Sequence, residues 1–350
     1  MKTPRARGPV STELLKLLTV EPGAPHADVQ ALHACAVTSL RDTPDVIRDA
    51  DLQLTLFCLN ALHYDGLDGV DDRWEWDSGL MSVRVEIESA FESALRDRVP
   101  TPPPPSDLTA NSVAAALFDM AARDPSPGLS RYVASKATAA QLKEFVIHRS
   151  VYQLREADPH TWAIPRLNGR AKAALVEIQS DEYGGGCPER MHSTLFADTM
   201  RGLGLDDTYG GYVDQVPAIT LASVNLITLF GLHRRLRGAA VGHLAAFEMT
   251  SSAPNRSYGN GFRRLGHPTL TGYFDEHVEA DAVHEQIAAR DLAGGLVEAE
   301  PQLVGDVLFG AVAALRMDGW VTEHVLAAWT LDQSSLEQSS LEPAVLAAAS

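Results

Sequence analysis

The chain has 350 residues, 45% hydrophobic content and a formal net charge of −17, enough apolar side chain for one large or two modest cores. This acidity argues against a nucleic-acid partner, whose recognition needs clustered Lys and Arg; "LHRRLRG" (Leu232–Gly238) and "RRLGH" (Arg263–His267) are too short to reverse the balance. Cys35, Cys58 and Cys187 form no CxxC pair and leave an odd thiol, which points to a reducing, cytoplasmic setting, and no run approaches the ~18 apolar residues of a membrane span.

From the N-terminus, "STELLKLLTV", "ADVQALHACAVTSL" and "MSVRVEIESAFESALRDRV" repeat apolar residues every three or four positions, the pattern of amphipathic helices. "YDGLDGVDD" (Tyr64–Asp72) is acidic and glycine-rich but lacks the ligand spacing of a calcium loop. "VPTPPPPSDLT" (Val99–Thr109) removes backbone donors and enforces extended geometry, so it reads as a boundary between a helical region 1–105 and a core 106–330. Further helical patterns cover 112–124, 137–158, 168–185, 188–205, 217–238, 239–254, 260–266, 271–295 and 301–329, with little strand-like alternation. The expectation is an all-α bundle with additional N-terminal helices, followed by a poorly anchored tail, 331–350, containing a duplicated "QSSLE".

Several ionisable residues sit where helices should bury apolar side chains. In "EHVEADAVHEQIA" (Glu276–Ala288), His277, Asp281 and His284 are four and then three positions apart, which at about 100° per residue puts them on one helical stripe. Glu248 lies in the apolar run "GHLAAFEMTSS", where a carboxylate needs a proton, a counter-charge or a cation. Glu156 closes "SVYQLREAD", Glu182 precedes three glycines in "DEYGGG", and His192 opens the following helix. Each residue alone is compatible with a solvated helix end or a buried ion pair. Together, carboxylate oxygens and imidazole nitrogens without thiolates suit first-row ions such as Fe(II) or Mn(II) rather than structural zinc.

With these residues the segment from about Ala137 to Trp329 resembles the haem-oxygenase-like diiron oxidases, and among them the N-oxygenase members. The resemblance implies a haem-oxygenase-like helical fold and a site of two Fe(II) ions bound by Glu156, Glu182, His192, Glu248, His277, Asp281 and His284. Four carboxylates would balance two divalent ions. Glu189, in Glu-x2-His with His192, is left open as the alternative to Glu182. By the same resemblance Glu182, His192, Asp281 and His284 surround one ion, Glu248 and His277 the other, and Glu156 bridges. It implies O2 as co-substrate, an external electron donor, N-oxygenation of an amino-acid-derived amine in specialised metabolism, and a homodimer, with the N-terminal region expected either to pack against the core or to build the dimer interface. C–H abstraction leading to desaturation or C–C cleavage of an amino or fatty acid is the alternative. A haem oxygenase would leave the carboxylates unexplained, as would a cofactorless thiaminase-like enzyme. A non-enzymatic helical interaction protein is the reading from another class. Tyr152, Tyr183, Tyr273 and Phe274 are expected near the pocket, with Arg149 and Arg155 as candidate carboxylate anchors.

Overall fold

A computed structural model describes residues 1–23, 26–125 and 127–337, except the side chains of residues 26–27 and 279–282. Among these residues there is no strand. Four helices lead: α1 (Pro9–Leu17), α2 (His26–Asp42), α3 (Ala50–Ala61) and α4 (Ser78–Arg98). Beyond the proline run come α5 (Ala110–Ala122), α6 (Leu129–Ser135), α7 (Ala139–Gln153), α8 (Asp158–Thr161), α9 (Gly169–Glu182) and α10 (His192–Gly202). The rest is α11 (Ala218–Leu232), α12 (Arg237–Arg264), α13 (Gly272–Gln286), α14 (Gly295–Ala299) and α15 (Val304–Thr330).

Local chemistry explains many of the ends. Thr138 accepts from the Gln141 backbone N–H while the Gln141 side chain returns to Thr138, a capping box that starts α7. Asp49 and Asp77 cap α3 and α4 by each accepting two backbone N–H bonds, and the Thr109 side chain caps α5 shortly after the prolines. Helix α3 has no pattern match in the sequence reading because it has no polar face: every residue from Asp51 to Ala61 is buried. It packs on α11, which is almost as uniformly buried. One apolar core therefore runs from Val10 to Met317, and the N-terminal helices share it.

The expected segments 239–254 and 260–266 form one helix, α12, while 217–238 divides at His233, which is extended at φ −99°, ψ 110°. Pro254 lies inside α12 although it leaves the Thr250 carbonyl without a helical donor. Tertiary packing outweighs that loss of about 3 kcal/mol, since α12 runs between α13 and α15. Gly242 and Gly310 permit the α12–α15 approach: a Cβ on Gly242 would overlap the Val307 carbonyl, and one on Gly310 the Ala239 backbone. After α13 the backbone widens into π-helical turns at Ile287–Gly294, a form frequent beside functional sites.

Residues 331–337, expected to be loosely held, are pinned instead. Ser335 is buried; its backbone N–H and hydroxyl donate to Glu144 while His148 Nε2 lies 3.0 Å from the same hydroxyl. Polar anchoring of this kind leaves no hydrophobic signature to read. Residues 338–350 lie outside the described residues. No described helix is long and apolar enough to cross a membrane.

Candidate metal centre

Six of the seven expected residues meet at one place. Glu156 sits in the tight turn after α7, just before Ala157, which adopts the left-handed conformation at φ 75°. Glu182 is the last residue of α9 and His192 the first of α10. Between them Gly184 takes φ +70°, and a Cβ there would come within 2.7 Å of the Arg190–Met191 backbone, so the glycines fold the chain back and bring the two side chains together. Glu248 projects from mid-α12, and His277 and His284 lie two turns apart on α13. The side chain of Asp281 lies outside the described residues.

The donor atoms fall into two groups, Glu156, Glu182, His192 and His277 in one and Glu182, Glu248 and His284 in the other, each with ligand atoms within 4.8 Å of one another. Glu182 belongs to both. The expected partition therefore changes: Glu182, at the end of α9, stands between the groups, and Glu156 joins His192 and His277 on one side. Glu189, the open alternative, is exposed at the surface turn.

The contacts inside the groups are short yet poorly satisfied as hydrogen bonds. His192 Nδ1 lies 2.9 Å from Glu182 Oε2, His277 Nε2 lies 3.5 Å from Glu156 Oε1, and His284 Nδ1 lies 3.5 Å from Glu248 Oε2. Glu156 Oε2, Glu182 Oε2, His192 Nδ1 and His284 Nδ1 are all buried without a well-formed hydrogen bond. Four orphaned donor atoms at one point cost free energy unless a cation takes their lone pairs, so these residues fit bound metal.

The surroundings orient the imidazoles. His277 Nδ1 lies 2.8 Å from the Tyr273 carbonyl, which can only accept, so Nδ1 carries the proton and Nε2 presents its lone pair to Glu156 and the group. His284 Nε2 donates to Asp181 Oδ2 at 2.9 Å, turning Nδ1 inward. The Tyr273 hydroxyl donates to Glu156 Oε1 at 2.8 Å. Asp181 carries no periodic signal in the sequence, being an exposed acid next to Glu182, and only the packing of α9 against the far end of α13 reveals its contact with His284.

Burial alone would push the Glu182 carboxyl up, but His192, His277 and His284 hold it below its ordinary value. His284 is opposed by burial as well, yet Glu248, Asp181 and Glu182 raise it to about 9. Binding of a cation at its Nδ1 therefore displaces a proton. Tyr273 is fully buried and Tyr152 half-buried, and both are kept protonated by desolvation and then by the neighbouring glutamates.

A cavity of about 500 Å³ opens onto the groups, with Glu156, Glu182, Glu248 and His277 in its wall. Tyr152 and Tyr273 line it as expected, and so does Arg149. Tyr183 does not; its hydroxyl bridges Asp158 and Thr161 at 2.8 Å each. Phe274 is part of the aromatic core with Phe145, Tyr258 and Phe262. Arg155 faces elsewhere, held by Asp65 and by the rings of Tyr64 and Tyr209.

Comparison with known proteins agrees with this chemistry. A family model described as iron-containing redox enzyme matches residues 143–319. The nitrosourea synthase of Streptomyces achromogenes subsp. streptozoticus is 29% identical over 147 residues, covering 42% of this chain and 31% of that protein. The chain thus matches about a third of the length of that relative. The matched segment runs from α7 to α15 and contains every residue of the two donor groups. As the family match takes in half of the chain, the protein belongs to the iron-containing redox enzymes and has their haem-oxygenase-like helical fold.

Proposed function

We propose that the protein is a non-haem diiron oxygenase that uses O2 and an external electron donor to N-oxygenate an amine derived from an amino acid. The observation that carries this reading is the pair of donor groups sharing Glu182, four of whose atoms are buried without a hydrogen bond. Glu156, His192 and His277 would hold one iron and Glu248 and His284 the other, with Glu182 between them and Asp281 as a further ligand. Bound Fe(II) supplies the electrons that reduce O2, and Mn(II) is the next ion compatible with this donor set.

The chain itself does the rest. Three glutamates offer hard, mobile oxygens that can accommodate a change of metal charge. The Tyr273 hydroxyl donates to Glu156 Oε1, and the tautomers of His277 and His284 are set by the Tyr273 carbonyl and by Asp181. The cavity walls, with Leu244, Phe247 and Leu315, exclude water from the substrate's path. The relative's name, nitrosourea synthase, denotes a product with an N–N=O group, which favours nitrogen over carbon as the atom oxidised. The small-molecule substrate, a cytoplasmic setting and a homodimer belong to the same reading.

Anaerobic loading with Fe(II), followed by metal analysis and exposure to O2 with a panel of amines and amino acids, tests it. About two irons per chain and an oxygenated nitrogen product are expected. One iron or none, or a product altered only at carbon, overturns it in favour of another oxidase chemistry or a binding role.

A further inference from the structure

On the reading of this centre as a site of amine oxidation, we propose that Arg149 and Asp318 form a subsite for the α-carboxylate and α-ammonium of an amino acid, placing the end of its side chain at the metal-facing glutamates. Both residues line the same cavity as Glu156, Glu182 and Glu248. Arg149 Nη2 and Asp318 Oδ1 are 3.0 Å apart, with side chains 26% and 41% exposed. A zwitterion carries its own opposite charges at comparable separation, so it can face this pair with each charge matched.

The helix supplies the ruler. Arg149, Tyr152, Gln153 and Glu156 all line the cavity, at positions i, i+3, i+4 and i+7 along α7 and the turn that continues it. Arg149 and Glu156 are therefore separated by roughly 10 Å along the axis. An amino acid held by its α groups keeps its α-nitrogen far from the centre, while a lysine- or arginine-length side chain spans the gap. Leu244, Phe247 and Leu315 provide apolar wall for its methylenes. Arg155 cannot serve instead, since Asp65, Tyr64 and Tyr209 occupy it outside this cavity.

The test compares four probes on the iron-loaded protein: L-lysine; cadaverine, which lacks the carboxylate; ε-aminocaproate, which lacks the α-nitrogen; and L-norleucine, which lacks the distal nitrogen. Binding by calorimetry and O2 consumption are measured for the wild type, Arg149→Gln and Asp318→Asn, with iron content and helical signal as controls. L-ornithine and L-arginine extend the length series. Arg149→Gln is expected to weaken L-lysine and ε-aminocaproate by at least about tenfold while cadaverine binds no weaker; Asp318→Asn should do the converse. L-Norleucine should bind without being oxidised. Equal losses for all probes in either variant would make the ion pair a tie between α7 and α15 and overturn the subsite, as would failure of all three basic amino acids to bind. The predicted binding pattern without oxidation of any probe supports the subsite and instead overturns amine oxidation.

Discussion

Two buried clusters of acids and imidazoles in this molecule have opposite needs. Between α4 and the start of α12, Glu88 lies 3.4 Å from Arg84 and 2.7 Å from His233, Glu92 is held by Arg96 and Arg235, and His63 meets Arg84 and Glu75. Arginine supplies positive charge there from within the chain. At the other cluster Glu156, Glu182 and Glu248 face histidines at 2.9–3.5 Å, with orphaned oxygens and nitrogens between them. Folding alone supplies the counter-charge of the first cluster, although Arg84 Nε and Glu88 Oε1 are also buried without a hydrogen bond there; at the second a proton on His284 offsets one of three carboxylates, and metal would offset the rest. Acids and imidazoles alone do not distinguish a structural polar cluster from a candidate metal centre; the presence of guanidinium among them does.

The sharpest way to break this contrast is Glu182→Ala. Because Glu182 stands in both donor groups, the variant should lose at least one iron per chain and all turnover, whereas Glu189→Ala should match the wild type in metal analysis. Retention of full iron by Glu182→Ala would refute the shared position.

The mirror experiment is Glu88→Ala. It leaves Arg84 buried without its partner and should cost about 3 kcal/mol in urea denaturation, while iron content stays at the wild-type level. A loss of iron equal to that of Glu182→Ala would mean the two clusters are not independent.

A third difference concerns pH. His148 belongs to neither cluster; burial, then His324, lowers it from 6.5 to about 3. Its folded value lies below its unfolded value, so the folded state binds fewer protons, and the stability present above pH 6.5 is lost progressively as pH falls toward 3. Metal-free protein should show this acid loss in thermal melts, reduced in His148→Gln. An unchanged slope in the variant would assign the loss elsewhere.

The smallest effect is expected at Asp181→Asn. With a weaker partner on Nε2, His284 should hold metal about tenfold less tightly, read by competition with a chelator, without change in urea stability. Identical affinity would leave the Asp181–His284 contact without a role in metal binding.

Much of the centre was legible because its residues conflict with their local setting. Glu248 in an apolar run and His277 and His284 on one stripe announce a need for compensation before any fold is known. Helices with a polar face were legible for the same reason, as local patterning repeats at the helical period. Helix α3 was not, because complete burial erases the stripe, and α12 was misdivided because packing against α13 and α15 outweighs the local effect of Pro254.

Sequence by itself determined the helical class, which follows from periodicity within single elements, and it marked Glu248, His277 and His284 as residues in need of compensation; the rest of the donor set came only from the family resemblance. Only the tertiary structure decided that Glu182 rather than Glu156 stands between the groups, that Asp181 and Tyr273 orient the imidazoles, and that Arg149 rather than Arg155 reaches the cavity. Those outcomes depend on how separate helices cross, and periodicity along one helix contains no information about the face its neighbour presents.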